Sequence, residues 1–148
     1  MGELAEPSEP TSAIQRALDV VGDRWTILIV RAVFRGVRRF DEIRRDLDIA
    51  RPILADRLRR LVESGVLDKR QYQDRPARFE YRLSPMGREL SPILVAFMRW
   101  GDTYLSDGPP ETVLVHDACG HEFDQPFVCW HCDQTFSPLD IRSRSTRG

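Results

Sequence analysis

Hydrophobic positions recur at helical spacing in four early stretches of the chain. In SAIQRALDVVG, Ile14, Leu18 and Val21 share a face, Ser12 stands where an N-cap belongs, and Gly22 offers a stop. RWTILIVRAVFRG predicts a second helix with Trp25, Leu28, Ile29, Ala32 and Val33 on one face and Gly36 at its end. RRFDEIRRDL predicts a short third helix anchored by Phe40, Ile43 and Leu47. After the connection DIA, RPILADRLRRLVESG predicts a fourth. Pro52 suits its first turn, Leu54, Leu58, Leu61 and Val62 form its inward stripe, and Gly65 closes it.

The period then changes. VLDKRQYQ and RFEYRLS read as strands, with the turn-forming DRPA between them. Phe79, Tyr81 and Leu83 alternate with Glu80 and Arg82, as in a half-buried hairpin strand. SPMGRELSPILVAFMRWGDTYL predicts a long last helix, capped by Ser84 with Pro85 in its first turn and bent at Pro92 and Gly101. Its apolar residues (Leu90, Ile93, Leu94, Phe97, Met98, Tyr104) exceed what a small domain covers. Such a surplus marks a dimer seam, or packs on the first helix of the same chain.

This order predicts a mainly α fold with a β-hairpin wing, a winged helix-turn-helix. Advancing 100° per residue from Leu54 puts Asp56 at about 200°, Arg60 at about 240° and Ile53 at about 260°, on the outward face. Arg57 flanks them at about 300°, and Arg59, at about 140°, reads as a solvated charge. Arg51, Ile53, Asp56, Arg57 and Arg60 are the candidates for entering a DNA major groove, where arginine can pair bidentately with guanine. Lys69, Arg70, Arg75 and Arg78 on the wing are candidates for phosphates or a narrow minor groove.

Charge supports this. The 148 residues carry a net charge of −1, yet residues 1–10 carry −3, residues 11–106 carry +6 and residues 107–148 carry −4. A basic body between acidic ends points to a polyanionic partner, although a solvated surface is the plainer alternative. No run of eighteen apolar residues predicts a membrane span, and the acidic start MGELAEPSEPTS lacks the apolar segment of a secretory signal. The expected compartment is the cytoplasm.

All three cysteines and all three histidines lie in HDACGHEFDQPFVCWHC, residues 116–132. Cysteine in odd number and in a cytoplasmic setting argues against a structural disulfide. Cys129-x2-Cys132 is one half of a tetrahedral Zn²⁺ site, and the other half is His116-x2-Cys119 or Cys119-x-His121. The matching gap and Gly120 favour His116, Cys119, Cys129 and Cys132, with His121 in reserve and a miniature core of Phe123, Phe127, Trp130 and Phe136. A sensor that loses its metal on oxidation is the alternative. A Cys119–His121 nucleophilic enzyme is disfavoured, because the segment supplies no pocket, oxyanion site or Gly-rich cofactor loop, so no catalytic residue is expected. A winged helix that docks a protein partner is a further alternative.

ALDVVGDRWTILI, RRFDEIRRDL, LADRLRRLVESGVL and RPARFEYRLSPMG together resemble the HxlR-type winged-helix transcriptional regulators, over residues 13 to 105. The resemblance implies a homodimer, joined through helices 12–22 and 85–105, that represses or activates genes from a pseudo-palindromic double-stranded operator. Many members carry a cysteine at the start of the first helix, and in some it senses oxidants or electrophiles. Ala13 stands there in this chain and excludes that route. Some members carry a similar C-terminal extension that looks like a zinc ribbon. The expected organisation is an acidic disordered start (1–10), a DNA-binding and dimerisation domain (11–106), a small zinc-ribbon-like β module (107–139) and a disordered tail (140–148).

Overall fold

Local capping settles where the first helices begin. Ser12 Oγ accepts from the Gln15 amide at 3.1 Å while Gln15 Oε1 accepts from the Ser12 amide at 2.8 Å, a reciprocal box that opens α1 (Ala13–Val21). Asp23 accepts from the amides of Trp25 and Thr26 at 3.1 and 3.2 Å and opens α2 (Arg24–Phe34). The structure is a computed structural model that describes residues 12–123 and 125–144, so the expected disorder of residues 1–10 lies outside the described residues. Of the expected tail, residues 140–144 are described.

α3 (Phe40–Leu47) ends at Asp48, whose φ of 48° turns the chain so that Ile49 is buried. α4 (Arg51–Glu63) carries Pro52 in its first turn and ends at Ser64, with Gly65 at φ 81° beyond it, a left-handed position that glycine adopts without strain. β1 (Leu67–Asp74) pairs antiparallel with β2 (Ala77–Leu83), from Leu67 opposite Leu83 to Asp74 opposite Ala77, with an irregularity between Gln71 and Gln73. Arg39 bridges to Glu80, and the Tyr81 amide donates to the Arg38 carbonyl at 2.8 Å. The base of the hairpin is thereby docked on the approach to α3.

The core lies where α2, α3, α4 and the base of the hairpin meet. Ile29, Val30 and Val33 of α2 pack with Ile43, Ile49, Leu54, Leu58, Leu61, Val66 and Leu67. Each fully buried aliphatic side chain contributes roughly 1.5–3 kcal/mol. The buried face of α2 is wider than expected: Ile29, Ala32 and Val33 are buried as the spacing predicts, Thr26 and Val30 join them, and Trp25 and Leu28 are only partly buried.

The last helix is not continuous. α5 (Pro85–Arg88) is a single turn and α6 (Ser91–Leu105) restarts after it, so the break comes before Pro92, which sits harmlessly in the first turn of α6. Packing forces this. The Ser84 hydroxyl lies against the carbonyls of Gly65 and Val66 and accepts from the Gly87 amide at 3.0 Å. A Cβ on Gly87 would meet the Val66 carbonyl oxygen at 2.2 Å.

The chain divides into two units, one through Phe97 and one from Met98 onward, with α6 running across the division. Beyond α6, the second unit shows two isolated bridges, Val115 to Glu122 and Val128 to Thr135, and one 3₁₀ turn, Pro138–Asp140. The expected β module is therefore two minimal hairpins without a regular strand among the described residues. No described helix is long and apolar enough to cross a membrane.

Replacing Gly87 by Ala should destabilise the fold by about 1–3 kcal/mol, because the carbonyl beneath it belongs to the backbone and cannot swing away. Gly101→Ala, with no heavy atom within 4 Å of the added carbon, should instead be neutral or stabilising by up to ~1 kcal/mol. Urea unfolding midpoints of the two variants would show it, and equal effects would contradict the packing described.

Candidate nucleic-acid interface

α4 buries Leu54, Leu58 and Leu61, which turns Pro52, Asp56, Arg59, Arg60 and Glu63 outward, with Ile53 at the edge of that face. The outward face is organised around one carboxylate. Asp56 Oδ1 accepts from Arg59 at 2.7 Å, while Oδ2 accepts from Arg57 at 2.6 Å and lies 3.0 Å from Arg60 Nε. Arg59 also reaches Glu63 at 2.9 Å. The hydrogen bond from Arg59, with the charge of Arg60 and the hydrogen bond from Arg57, outweighs desolvation and holds the Asp56 carboxyl below the ordinary carboxylate range.

The arginines differ in freedom. Arg57 is 25% exposed and is held between Asp56 and Asp23, whose Oδ1 lies 3.0 Å from Arg57 Nε. It ties α4 to the start of α2 instead of projecting freely outward. Arg60 is 64% exposed, and Asp56 is its only carboxylate partner among the described residues. Such exposed pairs are worth about 0–1 kcal/mol and exchange readily for a phosphate or a base edge. Arg51, ahead of them, pairs with Asp41 at 3.2 Å and lies over the Phe40 ring at 5.1 Å.

The wing is different. Lys69, Arg70, Arg75 and Arg78 have no carboxylate partner among the described residues, and Lys69 lies over the Phe79 ring at 4.4 Å. A cleft of about 440 Å³ separates the wing from the start of α3, with Arg39, Arg45 and Arg78 on its walls. Arg39 stacks on Tyr72 at 4.6 Å. Sequence reasoning passed over Arg39, Arg45 and Tyr72. The signal was the RRF that precedes α3, and it becomes informative only when the hairpin is seen to dock there.

In the second unit the Cys and His residues fall at two turns, one with His116, Cys119 and His121 and one with Cys129, His131 and Cys132. The Cys119 and Gly120 amides donate to the His116 carbonyl at 3.2 and 2.7 Å, Gly120 at φ 69° completes the turn, and His116 Nδ1 lies 3.3 Å from Cys119 Sγ. At the second turn the Cys129 amide donates to Gln134 O at 3.0 Å and Asp133 returns to Cys129 O at 2.7 Å. Amides of Cys132 and His131 and the Cys132 thiol hold the Cys129 thiol below its ordinary value. His121 turns Nδ1 toward the Cys119 carbonyl at 3.1 Å. Each turn has zinc-compatible donors, yet no group of three or more Cys, His, Asp or Glu is gathered for a metal among the described residues. Phe127 and Phe136 stack at 5.8 Å, while Trp130, expected in the miniature core, is 95% exposed.

A helix-turn-helix with a docked basic hairpin is the geometry of a family of regulators, and residues 20–109 match the model described as HxlR-like helix-turn-helix. The chain belongs to the HxlR-like helix-turn-helix family. An uncharacterized HTH-type transcriptional regulator of Mycobacterium tuberculosis is 45% identical over 131 residues, covering 87% of this chain and 82% of its own. The crystal structure of PA1607, described as a candidate transcription factor, superposes with a TM-score of 0.82 at 35% identity, over 92% of this chain and 96% of that one. The redox regulator HypR in its reduced form superposes with a TM-score of 0.58 at 32% identity, over 62% of this chain and 92% of that one. The HxlR-like match spans the helix-turn-helix and wing; it stops short of the paired cysteines.

Asp23 joins the two roles of the domain, since it caps α2 and anchors Arg57. Burial pushes its carboxyl up, but bonds from Thr26 and Arg57 overcome this and leave it below the ordinary range. A depressed carboxyl contributes stability that is present above its unfolded pKa and lost as the pH falls through the folded one. Asp23→Ala should therefore cost about 1–2 kcal/mol near neutrality and progressively less below the carboxylate range. Urea unfolding across acid pH would check it, and a pH-independent cost would contradict it.

Proposed function

We propose that this protein is a sequence-specific, double-stranded-DNA-binding transcriptional regulator that acts as a homodimer on a pseudo-palindromic operator. α4 enters the major groove, with Arg51, Ile53, Asp56 and Arg60 toward the bases and Arg57 fixing the helix behind them. Lys69, Arg70, Arg75 and Arg78 on the wing take phosphates or a narrow minor groove. The observation that carries this reading is the wing: four cations without a carboxylate partner among the described residues, next to a helix whose rotation is fixed by its buried leucines. Relatives named HTH-type transcriptional regulators support it. So does an apolar surface that asks for a second copy, Ile14 at 72%, Leu18 at 57% and Phe97 at 61% exposure. The two recognition helices then address half-sites about 34 Å apart.

The C-terminal segment holds a structural zinc ion through His116, Cys119, Cys129 and Cys132, the two matched turns closing on it when it binds. Zinc here supplies folding free energy and no chemistry. A sensory role for the same cysteines is a second reading, favoured by the exposure of the Cys119 and Cys132 thiols.

Titrating duplex DNA at several salt concentrations tests the main reading. Binding should weaken with salt, and Arg75→Gln/Arg78→Gln should flatten the slope of log K against log salt by roughly 0.9 for each phosphate no longer neutralised. Absence of salt-dependent duplex binding would refute the reading. Elemental analysis should find one zinc per chain, and a chelator should unfold residues 113–138 while the winged-helix body survives. Protein purified without chelator and free of metal would refute the zinc site, and loss of DNA binding on chelation would make the site sensory.

A further inference from the structure

The outward face of α4 carries a carboxylate at its centre, which is an odd choice for a surface that meets a polyanion. Asp56 sits between Arg59 and Arg60, with Glu63 one turn further along the same face. A phosphate approaching this face meets Arg59 and Arg60, 56% and 64% exposed, already paired with the 32%-exposed Asp56 beneath them, and each arginine must leave that carboxylate before it can reach the phosphate.

We propose that Asp56 is a specificity-determining residue that suppresses binding to arbitrary DNA by acting as an internal substitute for phosphate, and that at the correct site it accepts a hydrogen bond from the exocyclic amine of a cytosine. The proposal rests on the DNA-binding reading above and names what sets selectivity within that site.

Lone-pair accounting supports both halves. A carboxylate offers about four acceptor positions; Arg57 and Arg59 hydrogen-bond to two, and Arg60 is held by charge at 3.0 Å. Acceptor capacity remains for an outside donor. Phosphates carry no donor, so the backbone of any duplex leaves that capacity unsatisfied and adds like-charge repulsion. Cytosine presents an N4 amine in the major groove, where aspartate is its natural acceptor. Wrong sites are thus penalised by the group that rewards the right one, an arrangement in which specificity comes from repulsion as much as attraction.

The three arginines are not equally dependent on Asp56. Arg57 keeps Asp23 and Arg59 keeps Glu63 when Asp56 loses its charge. Arg60 keeps no carboxylate among the described residues. Neutralising Asp56 therefore frees one identifiable cation.

The test compares the full-length wild type, Asp56→Asn, Asp56→Glu and Asp56→Asn/Arg60→Gln. Each is titrated with a random-sequence duplex and with the duplex that wild type enriches from a random pool. Asp56→Asn should bind the random duplex roughly fivefold tighter at low salt, the size of one released surface pair. Its salt slope should steepen by roughly 0.9. Its preference for the enriched duplex should fall, and a fresh selection should lose a cytosine in favour of another base. Asp56→Asn/Arg60→Gln should return the slope to the wild-type value, and Asp56→Glu, which keeps the charge but lengthens the side chain, should fall between wild type and Asp56→Asn on random DNA. If wild type binds duplex and Asp56→Asn leaves random-sequence affinity unchanged or weaker, the role given to Asp56 is overturned while the regulator reading stands. If wild type binds no duplex at all, that reading fails and takes this one with it.

Discussion

The rotation of α4 about its own axis is the constraint on which the rest depends. Leu54, Leu58 and Leu61 are buried together against Ile29, Val33 and Ile43, and a turn of one residue, about 100°, would expose them. Losing that burial would cost several kcal/mol, a large part of what holds a domain of this size together. The helix has one orientation for this reason, and the side chains opposite the leucines are committed to solvent or to a ligand. Asp23 reinforces the choice from the side, since its bond to Arg57 joins α4 to the start of α2.

Electrostatics divides the work between helix and hairpin. On α4 every outward arginine is compensated within the molecule, by Asp56, Glu63, Asp23 or, for Arg51, Asp41. On the wing Lys69, Arg70, Arg75 and Arg78 have no carboxylate partner among the described residues, and the antiparallel pair that carries them is fixed by the Arg38 carbonyl. Uncompensated charge supplies affinity that does not depend on sequence, whereas compensated charge must be exchanged for something better. A surface with both can hold DNA through one element and discriminate through the other. Most ion pairs on α4 are exposed and weak, and a ligand can displace them, whereas Arg57, less exposed and doubly held, is fixed in place.

Much of this was legible in the residues. The helical spacing of Ile43, Leu47, Leu54, Leu58 and Leu61, the alternation along β2, and Ser12, Asp23 and Ser84 at helix starts are local features, and local physics places them. What was not legible depends on partners distant in sequence. Arg57 looked outward on a helical wheel, yet its anchor lies 34 residues away. The break after α5 comes from Gly87 pressing on Val66, which no period reveals. Arg39 and Tyr72 acquire meaning only once the hairpin docks on α3. In the C-terminal segment the two turns were predictable from Cys-x2-Cys spacing and Gly120, while the exposure of Trp130 was not, because two minimal hairpins bury too little surface to enclose an indole.

The most direct test of the outward face is photo-crosslinking with a benzophenone-bearing amino acid placed, one site at a time, at positions 53, 75 and 18. On a radiolabelled enriched duplex, positions 53 and 75 should give protein–DNA adducts, mapping to base-paired and backbone positions within one half-site. Position 18, on the apolar face of α1, should give protein–protein adducts. DNA adducts from position 18 with none from 53 or 75 would contradict the orientation of α4 and the wing on which the account stands.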